Sequence, residues 1–187
     1  MLDLSKERLA ELATKAIHDE QAFEELYNYF FPKVYYYILQ RVNNKAIAED
    51  LVSNIFLKAL RNLTSLKNSR DFQGWLFSIA RNALIDHYRK AGRKKEEASE
   101  AVSDDKTILY ETPEDQLLIK EHNNQIYQAL DTLSPEQSEV VILRFMHELK
   151  LKEIAKVIDK SEGAVKGLLY RALKKLSIHF QDREVQK

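Results

Sequence analysis

The sequence predicts an all-α fold of two small helical domains joined by a flexible linker, and three observations support this prediction. Only 4 of the 187 residues are Gly and 3 are Pro, too few turn residues for an all-β fold. Hydrophobic residues make up 44%, so a core can form. Apolar residues recur at helical spacing on both sides of a charged stretch that lacks this period. The predicted domains are therefore residues 1–92 and 116–187, with a linker at 93–115.

Helical periodicity accounts for most of the predicted first domain. Ser5 to Ile17 predicts a short amphipathic helix, and Asp19 is placed to cap the helix that follows. Asn43-Asn44 marks the turn after that second helix. The remaining elements predicted here are a helix from Ala46 to Leu60, a polar connection from Asn62 to Arg70, and a helix from Asp71 or Phe72 to about Lys90–Gly92.

Two of these helices have a well-defined apolar face. The first is predicted to bury Leu51, Val52, Ile55, Phe56, Ala59 and Leu60. Its polar residues outside this stripe include Asp50, Ser53, Asn54 and Lys58. The second is predicted to bury Phe72, Trp75, Leu76, Ile79, Ala80 and Ala83. Because Trp75 falls on the apolar stripe, a core position is favoured for it over a wedge that inserts into DNA.

The predicted second domain begins with a helix that ends near Leu133. Ser134-Pro135-Glu136-Gln137 then combines Ser at the N-cap, Pro at the first position and Gln three residues later, which predicts a capping box. Leu151 to Leu176 is typical of a helix-turn-helix, with Asp159-Lys160-Ser161 as its turn and Ser161 capping the second helix. The core side of that helix is predicted to be Val165, Leu168, Leu169, Ala172 and Leu176. An αα-hairpin with a solvated basic face fits the same spacing.

Charge is distributed unevenly, although Lys+Arg and Asp+Glu both number 29. Residues 60–95 carry nine basic and two acidic side chains, and 150–175 carry eight basic and three acidic ones. Between these blocks, residues 96–122 carry nine acidic and two basic side chains. A polyanion responds to local charge within about 8–10 Å rather than to net charge. Two basic helical blocks therefore favour a nucleic-acid ligand despite the neutral total.

Several other classes of protein are disfavoured. The chain has no Cys, and its five His residues lack metal-ligand spacing, so neither a metal nor another cofactor is expected. No phosphate-binding Gly loop is present, so an enzyme is the least favoured class. No apolar run approaches the roughly 18 residues of a membrane span, and the first 15 residues do not resemble a signal peptide. We therefore expect a cytoplasmic protein without membrane insertion.

Two groups of motifs resemble the sigma-70 family of bacterial RNA polymerase sigma factors. Ala48-Glu49-Asp50-Leu51-Val52, Trp75-Leu76 and Ile79-Ala80-Arg81-Asn82 are similar to region 2, in the family's order. Leu133 to Gln137, Glu153-Ile154-Ala155, and Ser161 to Lys166 with Arg171-Ala172 are similar to region 4. Residues 1–92 and 116–187 would be these two domains, without the other regions. This arrangement resembles the extracytoplasmic-function (ECF) subgroup.

The resemblance implies partners for the first domain. Core RNA polymerase, through its β′ and β subunits, would dock on Asp50, Ser53, Asn54 and Lys58, which otherwise are ordinary solvated surface. The connection after this helix would capture an unstacked base of the −10 element, or be a plain loop. The residues expected to bind the −10 region are Asn62, Ser65, Asn68, Ser69, Arg81, Asn82 and Arg89. Asp86 with Arg89 also fits a surface ion pair of little effect.

The resemblance also implies that the second helix of the helix-turn-helix reads the −35 element of promoter DNA. The residues in question are Ser161, Glu162, Ala164, Lys166, Tyr170, Arg171 and Lys174. Gly167 and Leu168 depart from the Ser and Arg that the family often has there, which puts one phosphate contact in doubt. Asp159 replaces the usual turn Gly and is expected to adopt the left-handed conformation. An anti-sigma factor is a further expected partner.

Two other functions remain as alternatives. If the protein were a stand-alone helix-turn-helix regulator, the second domain would be accounted for. The first basic block and the helix that contains Asp50 would then have no known function. An interaction-only helical adaptor needs neither basic block.

The acidic linker either mimics nucleic acid in a basic channel or is only a solvated tether.

Overall fold

The computed structural model of the protein describes residues 4–97 and 129–185. Within those ranges the ordered elements are helices and short helical turns, without a strand, which confirms the predicted all-α class. The chain divides into two compact units, Met1–Thr107 and Ile108–Lys187. The predicted boundaries at 92 and 115 stay predictions, and the second lies outside the described residues, as does most of the acidic stretch.

Unit 1 is a bundle of four helices with two single turns of 3₁₀-helix before the last one. The helices are α1 (Lys6–Lys15), α2 (Glu20–Val42), α3 (Lys45–Asn62) and α4 (Phe72–Glu97), and the turns are Leu63–Ser65 and Ser69–Asp71. Helix α2 packs against α1, α3 and α4, so it is the centre of the unit. Its buried side chains are Ala22, Leu26, Phe30, Val34, Tyr37 and Ile38.

The helix starts of unit 1 follow local capping chemistry. Ser5, Asp19 and Asn44 each accept a hydrogen bond from a backbone N–H in the first turn of α1, α2 and α3. These bonds satisfy donors that have no partner within the helix. Asn43 ends α2 in the left-handed conformation, with a φ of 48°, and α3 begins two residues later. The Asn43-Asn44 turn and the Asp19 cap are therefore confirmed.

Unit 2 contains three described helices around a smaller core. They are α5 (Pro135–Val141), α6 (Leu151–Ile158) and α7 (Glu162–Val185), and a π-helical turn, Ile142–Met146, follows α5. The predicted capping box is confirmed: the Gln137 N–H donates to Ser134 Oγ at 3.3 Å, and the Ser134 N–H donates to Gln137 Oε1 at 3.1 Å. The fully or nearly fully buried core includes Val140, Leu143, Leu149, Ile154, Val165 and Ala172.

Several predictions about unit 1 are wrong in detail. Leu51 and Ala83, which were predicted to be buried, are only partly buried. Leu60 is 48% exposed. It lies about 100° around α3 from the buried Ala59, at the edge of the stripe. Trp75 is only partly buried, because the inner face of α4 is rotated towards the fully buried Phe77. Helix α4 continues through Glu97, five residues beyond its predicted end, into the stretch expected to be non-helical.

None of the described helices combines the length and the apolar character that crossing a membrane requires.

Candidate nucleic-acid interface

Helix α3 presents a polar face away from the core of unit 1. Asp50, Ser53, Asn54 and Lys58 are all exposed on it, where the sequence placed them. Asn54 Nδ2 donates to the Asp50 carbonyl at 2.9 Å, which holds this side chain along the helix. Leu57, which the sequence analysis missed, is 49% exposed and seven residues after Asp50, on the same side of the helix. Its spacing from Asp50 was the signal that could have identified it.

The connection between α3 and α4 is held by local hydrogen bonds. Asn62 Nδ2 donates to the Lys58 carbonyl at 2.8 Å, and Ser65 Oγ donates to the Asn62 carbonyl at 2.6 Å. Leu63 is buried to 2% exposure and anchors the first 3₁₀ turn, so this connection is less polar than predicted. The connection therefore forms two 3₁₀ turns and is not an irregular loop.

The second turn presents a side-chain amide. Asn68 Oδ1 accepts a hydrogen bond from the Arg70 N–H at 3.1 Å and so caps the turn Ser69–Asp71. A side-chain amide also carries two N–H donors, which this bond does not use. Asn68 is exposed and Ser69 is partly buried. The turn thus orients a hydrogen-bonding group at the surface of the unit.

Helix α4 carries the three predicted DNA-binding residues that follow the connection. Arg81 is partly buried, whereas Asn82 and Arg89 are exposed. Arg89 pairs with Asp86 at 2.9 Å, and both side chains are at least half exposed. This is the ion pair weighed against a DNA contact for Arg89, and the two uses are compatible because an exposed pair contributes little stability.

A long-range contact that the sequence did not indicate ties α4 to α2. The Tyr88 hydroxyl donates to the Arg41 carbonyl, 47 residues away in the chain. Arg41 Nη1 in turn donates to the Tyr37 carbonyl at 2.7 Å, and its guanidinium lies 3.8 Å from the centre of the Tyr37 ring. Partial burial raises the pKa of the Tyr88 hydroxyl above its ordinary value. This network fixes the part of α4 that carries Arg89.

Helix α7 has one buried side and one exposed side. Val165, Leu168 and Ala172 are buried, as predicted, whereas Leu169 and Leu176 are partly exposed. Ser161 Oγ accepts a hydrogen bond from the Ala164 N–H at 3.2 Å, which confirms the predicted cap. The exposed residues include every predicted −35 contact, namely Ser161, Glu162, Ala164, Lys166, Tyr170, Arg171 and Lys174. Tyr170, at 71%, is the most exposed of the large hydrophobic residues in the part of the chain that the structure describes.

Two charged side chains on α7 already have neighbours on the helix. Lys166 Nζ lies 3.5 Å from Glu162 Oε1, one turn earlier. A methyl group at Gly167 would lie 3.2 Å from Arg171 Nη1, so the Arg171 guanidinium rests over this glycine. The Lys166 side chain is 63% exposed and Arg171 is also exposed, so a phosphate or a base edge can reach both cations.

The turn before α7 is fixed at both sides. Asp159 adopts the left-handed conformation with a φ of 54°, which confirms the expectation for this position. Lys160 Nζ pairs with Glu136 Oε1 of α5 at 2.9 Å. The turn is thereby joined to the start of α5, and the angle between α6 and α7 does not depend on the turn backbone alone. Among residues 4–97 and 129–185, no group of three or more His, Asp or Glu is placed to hold a metal ion.

Comparison with known proteins identifies both units. Residues 26–94 match the family model "Sigma-70 region 2", and residues 123–176 match "Sigma-70, region 4". The ECF RNA polymerase sigma factor BldN of Streptomyces coelicolor is 41% identical over 94% of this chain and 67% of its own length. The ECF RNA polymerase sigma factor SigX of Bacillus subtilis is 28% identical over 87% of this chain and 85% of its own.

A solved structure agrees at the level of the fold. The sigma factor RpoE of Bartonella quintana, in complex with the anti-sigma factor NepR, has a TM-score of 0.67 and 23% identity over 85% of this chain and 96% of that one. The two family matches together cover more than half of the sequence and coincide with the two structural units. The chain belongs to the sigma-70 family and is an RNA polymerase sigma factor of the ECF type, which binds core polymerase and promoter DNA.

Proposed function

We propose a division of labour in which α3 holds the polymerase, the α3–α4 connection with α4 opens the −10 element, and α7 reads the −35 element. The observation that supports it is the separation of three exposed faces. The α3 face carries Asp50 and Lys58 beside the exposed Leu57, whereas the predicted contacts on α4 include Arg81 and Arg89 and those on α7 include Lys166, Arg171 and Lys174. No two of these faces lie on the same helix, so all three ligands can be bound at once.

The α3 face combines the exposed apolar Leu57 with the exposed polar residues Asp50, Ser53, Asn54 and Lys58. A binding site of this kind has an apolar centre, which gains from desolvation, and a polar rim, which fixes the orientation. We assign the core polymerase contact to this face. Asp50 supplies charge complementarity, which acts on association rate and on specificity.

Recognition of the −10 element requires a base to be unstacked, which costs a few kcal/mol of free energy that contacts with the protein must offset. The connection contains no aromatic residue on which a base can stack. Hydrogen bonds from Asn62, Ser65, Asn68 and Ser69 would therefore recognise the extruded base. Arg81 and Arg89 would hold the backbone phosphates on either side, with Asn82 near the bases.

At the −35 element, the start of α7 would enter the major groove. Glu162 can accept a hydrogen bond from a cytosine amino group, and Lys166 can donate to guanine. At Ser161, where α7 begins, the backbone N–H groups of the first turn would bind a phosphate. Ala164 would contact a thymine methyl group. Tyr170, Arg171 and Lys174 lie further along the helix and would contact phosphates, which give affinity without reading sequence.

Initiation assays with core polymerase and a randomised promoter library test this division. Wild-type protein is expected to direct initiation from a subset of promoters with two conserved elements. Asp50→Arg should abolish co-purification with core polymerase while leaving the circular dichroism spectrum unchanged. Glu24→Arg is the matched control, because it makes the same charge reversal at an exposed position of α2, in the same unit but outside the α3 face. An Asp50→Arg protein that still co-purifies at the wild-type level would refute the α3 assignment.

Lys166→Ala tests the α7 assignment separately. It should weaken use of promoters that depend on the upstream element, with no change in core binding. Unchanged promoter use would reject the role of Lys166. DNA binding without polymerase and without initiation would instead support a stand-alone regulator.

Four further expectations belong to the same proposal. The protein acts in the cytoplasm and has no catalytic activity of its own. An anti-sigma factor would cover the α3, α4 or α7 faces and so compete with polymerase or DNA. The acidic residues 96–122 would act as a tether between the domains at 1–92 and 116–187, or occupy a basic channel of the polymerase.

A further inference from the structure

Helix α7 contains two glycines, Gly163 in its first turn and Gly167 one turn later, and their surroundings differ. A methyl group added at Gly163 would have its nearest neighbour, Ser161 Oγ, 4.0 Å away. At Gly167 the same methyl group would lie 3.2 Å from Arg171 Nη1, 3.8 Å from Nη2 and 3.9 Å from Cζ. The space that a side chain would take at Gly167 is therefore occupied by a guanidinium group.

The backbone gives no reason for a glycine at position 167. Gly167 lies inside α7 and does not have a positive φ, the conformation that glycine tolerates better than other residues. In a helix interior, glycine is less favourable than any other residue except proline. It is also one of the two positions at which this chain departs from side chains that the sigma-70 family often has. The reason for the missing side chain therefore lies in what occupies its place.

Arg171 reaches Gly167 because of the direction in which helical side chains extend. They tilt towards the N-terminus of the helix, so the residue at i+4 can cover the residue at i. The Arg171 guanidinium consequently lies one turn back, at the level of Gly167 and next to the turn that carries Lys166. Arg171 is exposed and Gly167 is partly buried. The charge of Arg171 is thus displaced towards the end of α7 that we propose enters the major groove.

A guanidinium group that is held in one orientation binds a phosphate better than one that rotates freely. Its N–H donors form a planar fork, which can contact two phosphate oxygens at once. An exposed Arg side chain has many rotamers, and fixing one of them on binding costs conformational entropy. The place over Gly167 restricts these rotamers before DNA binds. A long side chain at position 167 would exclude the guanidinium from that place.

We propose that Gly167 is a positioning residue for the −35 contact: because it has no side chain, Arg171 lies back over the helix and is oriented to hold a DNA phosphate. This inference rests on the proposed role of α7, and Gly167 itself makes no contact with DNA in it. An alanine methyl group would require the flexible end of Arg171 to move by only a few tenths of an ångström. A leucine side chain would take the place of the guanidinium.

A double-mutant cycle with the full-length chain bound to core polymerase tests the inference. The probe is a fluorescently labelled duplex with the −35 element of a promoter selected by the wild-type holoenzyme, and it ends upstream of the −10 element. Gly167→Leu is expected to weaken binding about fivefold and to lower the slope of log affinity against log salt by about one, because the displaced cation no longer neutralises a phosphate. Gly167→Ala should stay within about twofold of wild type. In an Arg171→Ala chain, Gly167→Leu should have no further effect.

Gln181→Leu is the matched control. Gln181 is exposed on α7 beyond all of the predicted −35 contacts, so this variant adds the same apolar side chain away from Arg171. It should bind the duplex within about twofold of wild type, with an unchanged salt slope. Circular dichroism checks the fold of each variant. If Gly167→Leu does not fold, Gly167→Gln fills the same space with a polar side chain and replaces it, with the same expected losses.

The results distinguish this inference from the proposed role of α7. If Arg171→Ala weakens binding but Gly167→Leu binds like wild type, the positioning role is overturned and the α7 assignment stands. If Gly167→Leu weakens binding equally with and without Arg171, the added side chain acts on DNA directly and the positioning role is again wrong. An equal loss in Gln181→Leu would also overturn it. If Arg171→Ala binds like wild type, the phosphate contact of Arg171 and the positioning role are both wrong.

Discussion

The two helices that we propose bind promoter DNA, α4 and α7, are held in different ways. Helix α4 is embedded in unit 1, with Leu76, Phe77 and Ala80 fully buried and a further tie from Tyr88 to α2. Helix α7 is buried along one side only, and its exposed side includes all of the predicted −35 contacts. The difference matches the two tasks. Opening the −10 element requires a rigid surface that supports deformed DNA, whereas reading the −35 duplex requires a helix that protrudes into a groove.

The largest expected effect is a loss of stability of unit 1, caused by a substitution in the core side of α4. Phe77→Ala removes a side chain that is fully buried and packs edge-on against Tyr37 at 5.2 Å. Phe-to-Ala changes in cores cost about 3–5 kcal/mol, so unit 1 should lose most of its stability. Denaturant unfolding followed by circular dichroism measures this. A loss below about 1 kcal/mol would show that α4 is no more embedded than α7.

The second effect concerns DNA affinity of the protruding helix. Arg171→Ala should leave stability unchanged but weaken binding of a −35 duplex about tenfold, and should reduce the slope of log affinity against log salt by about one. Titrations at several salt concentrations give both numbers. Lys15→Ala removes the same charge from unit 1 and serves as the control. A salt slope that Arg171→Ala leaves unaltered would place this side chain away from phosphate.

A smaller effect is expected where α4 is tied to α2. Tyr88→Phe removes the hydroxyl that donates to the Arg41 carbonyl, and loss of such a hydrogen bond costs about 1 kcal/mol. Tyr36→Phe is matched in exposure, at 49% against 51% for Tyr88, and should be neutral. Thermal unfolding of the full-length chain compares the two. If both variants melt at the same temperature, the tie contributes nothing to α4.

The smallest expected effect is an increase in stability rather than a loss. Gly167 lies in the interior of α7 without a positive φ, and only the flexible end of Arg171 is close to an added methyl group. Gly167→Ala should therefore stabilise unit 2 by up to about 1 kcal/mol through helix propensity. Gly163→Ala, in the first turn with its nearest neighbour atom 4.0 Å away, should gain less. Calorimetry of the full-length chain measures both, and a lower melting temperature for Gly167→Ala would mean that the Arg171 position matters to the fold.

Sequence reasoning succeeded where the relevant interactions are local. Caps at Asp19, Ser134 and Ser161 and the left-handed Asp159 depend on neighbouring residues alone, and all four are confirmed. Helical periodicity located the helices themselves, but it did not distinguish the centre of a stripe from its edge. Leu60 and Trp75 were misplaced for that reason, since neighbouring helices decide which edge is covered.

The contacts that shape the candidate sites were beyond the sequence because they join distant parts of the chain. Nothing local indicates that Tyr88 reaches Arg41, or that α1 packs against the turn Ser69–Asp71. Leu57 lies outside the predicted apolar stripe of its helix, and a single apolar residue on an exposed face gives no local sign of a role. The roles of the individual polymerase and DNA contacts remain predictions, which the substitutions above address.

The link from Tyr88 to the end of α2 also has a dynamic consequence. A segment opens in solution together with the elements to which it is bonded, and hydrogen exchange reports such cooperative units. The amides around Tyr88 and those around Arg41 should therefore exchange at similar rates although they are far apart in the chain. Substitutions near the end of α2 would then also change how firmly the α4 segment around Tyr88 is held, the segment that carries the proposed DNA contact Arg89.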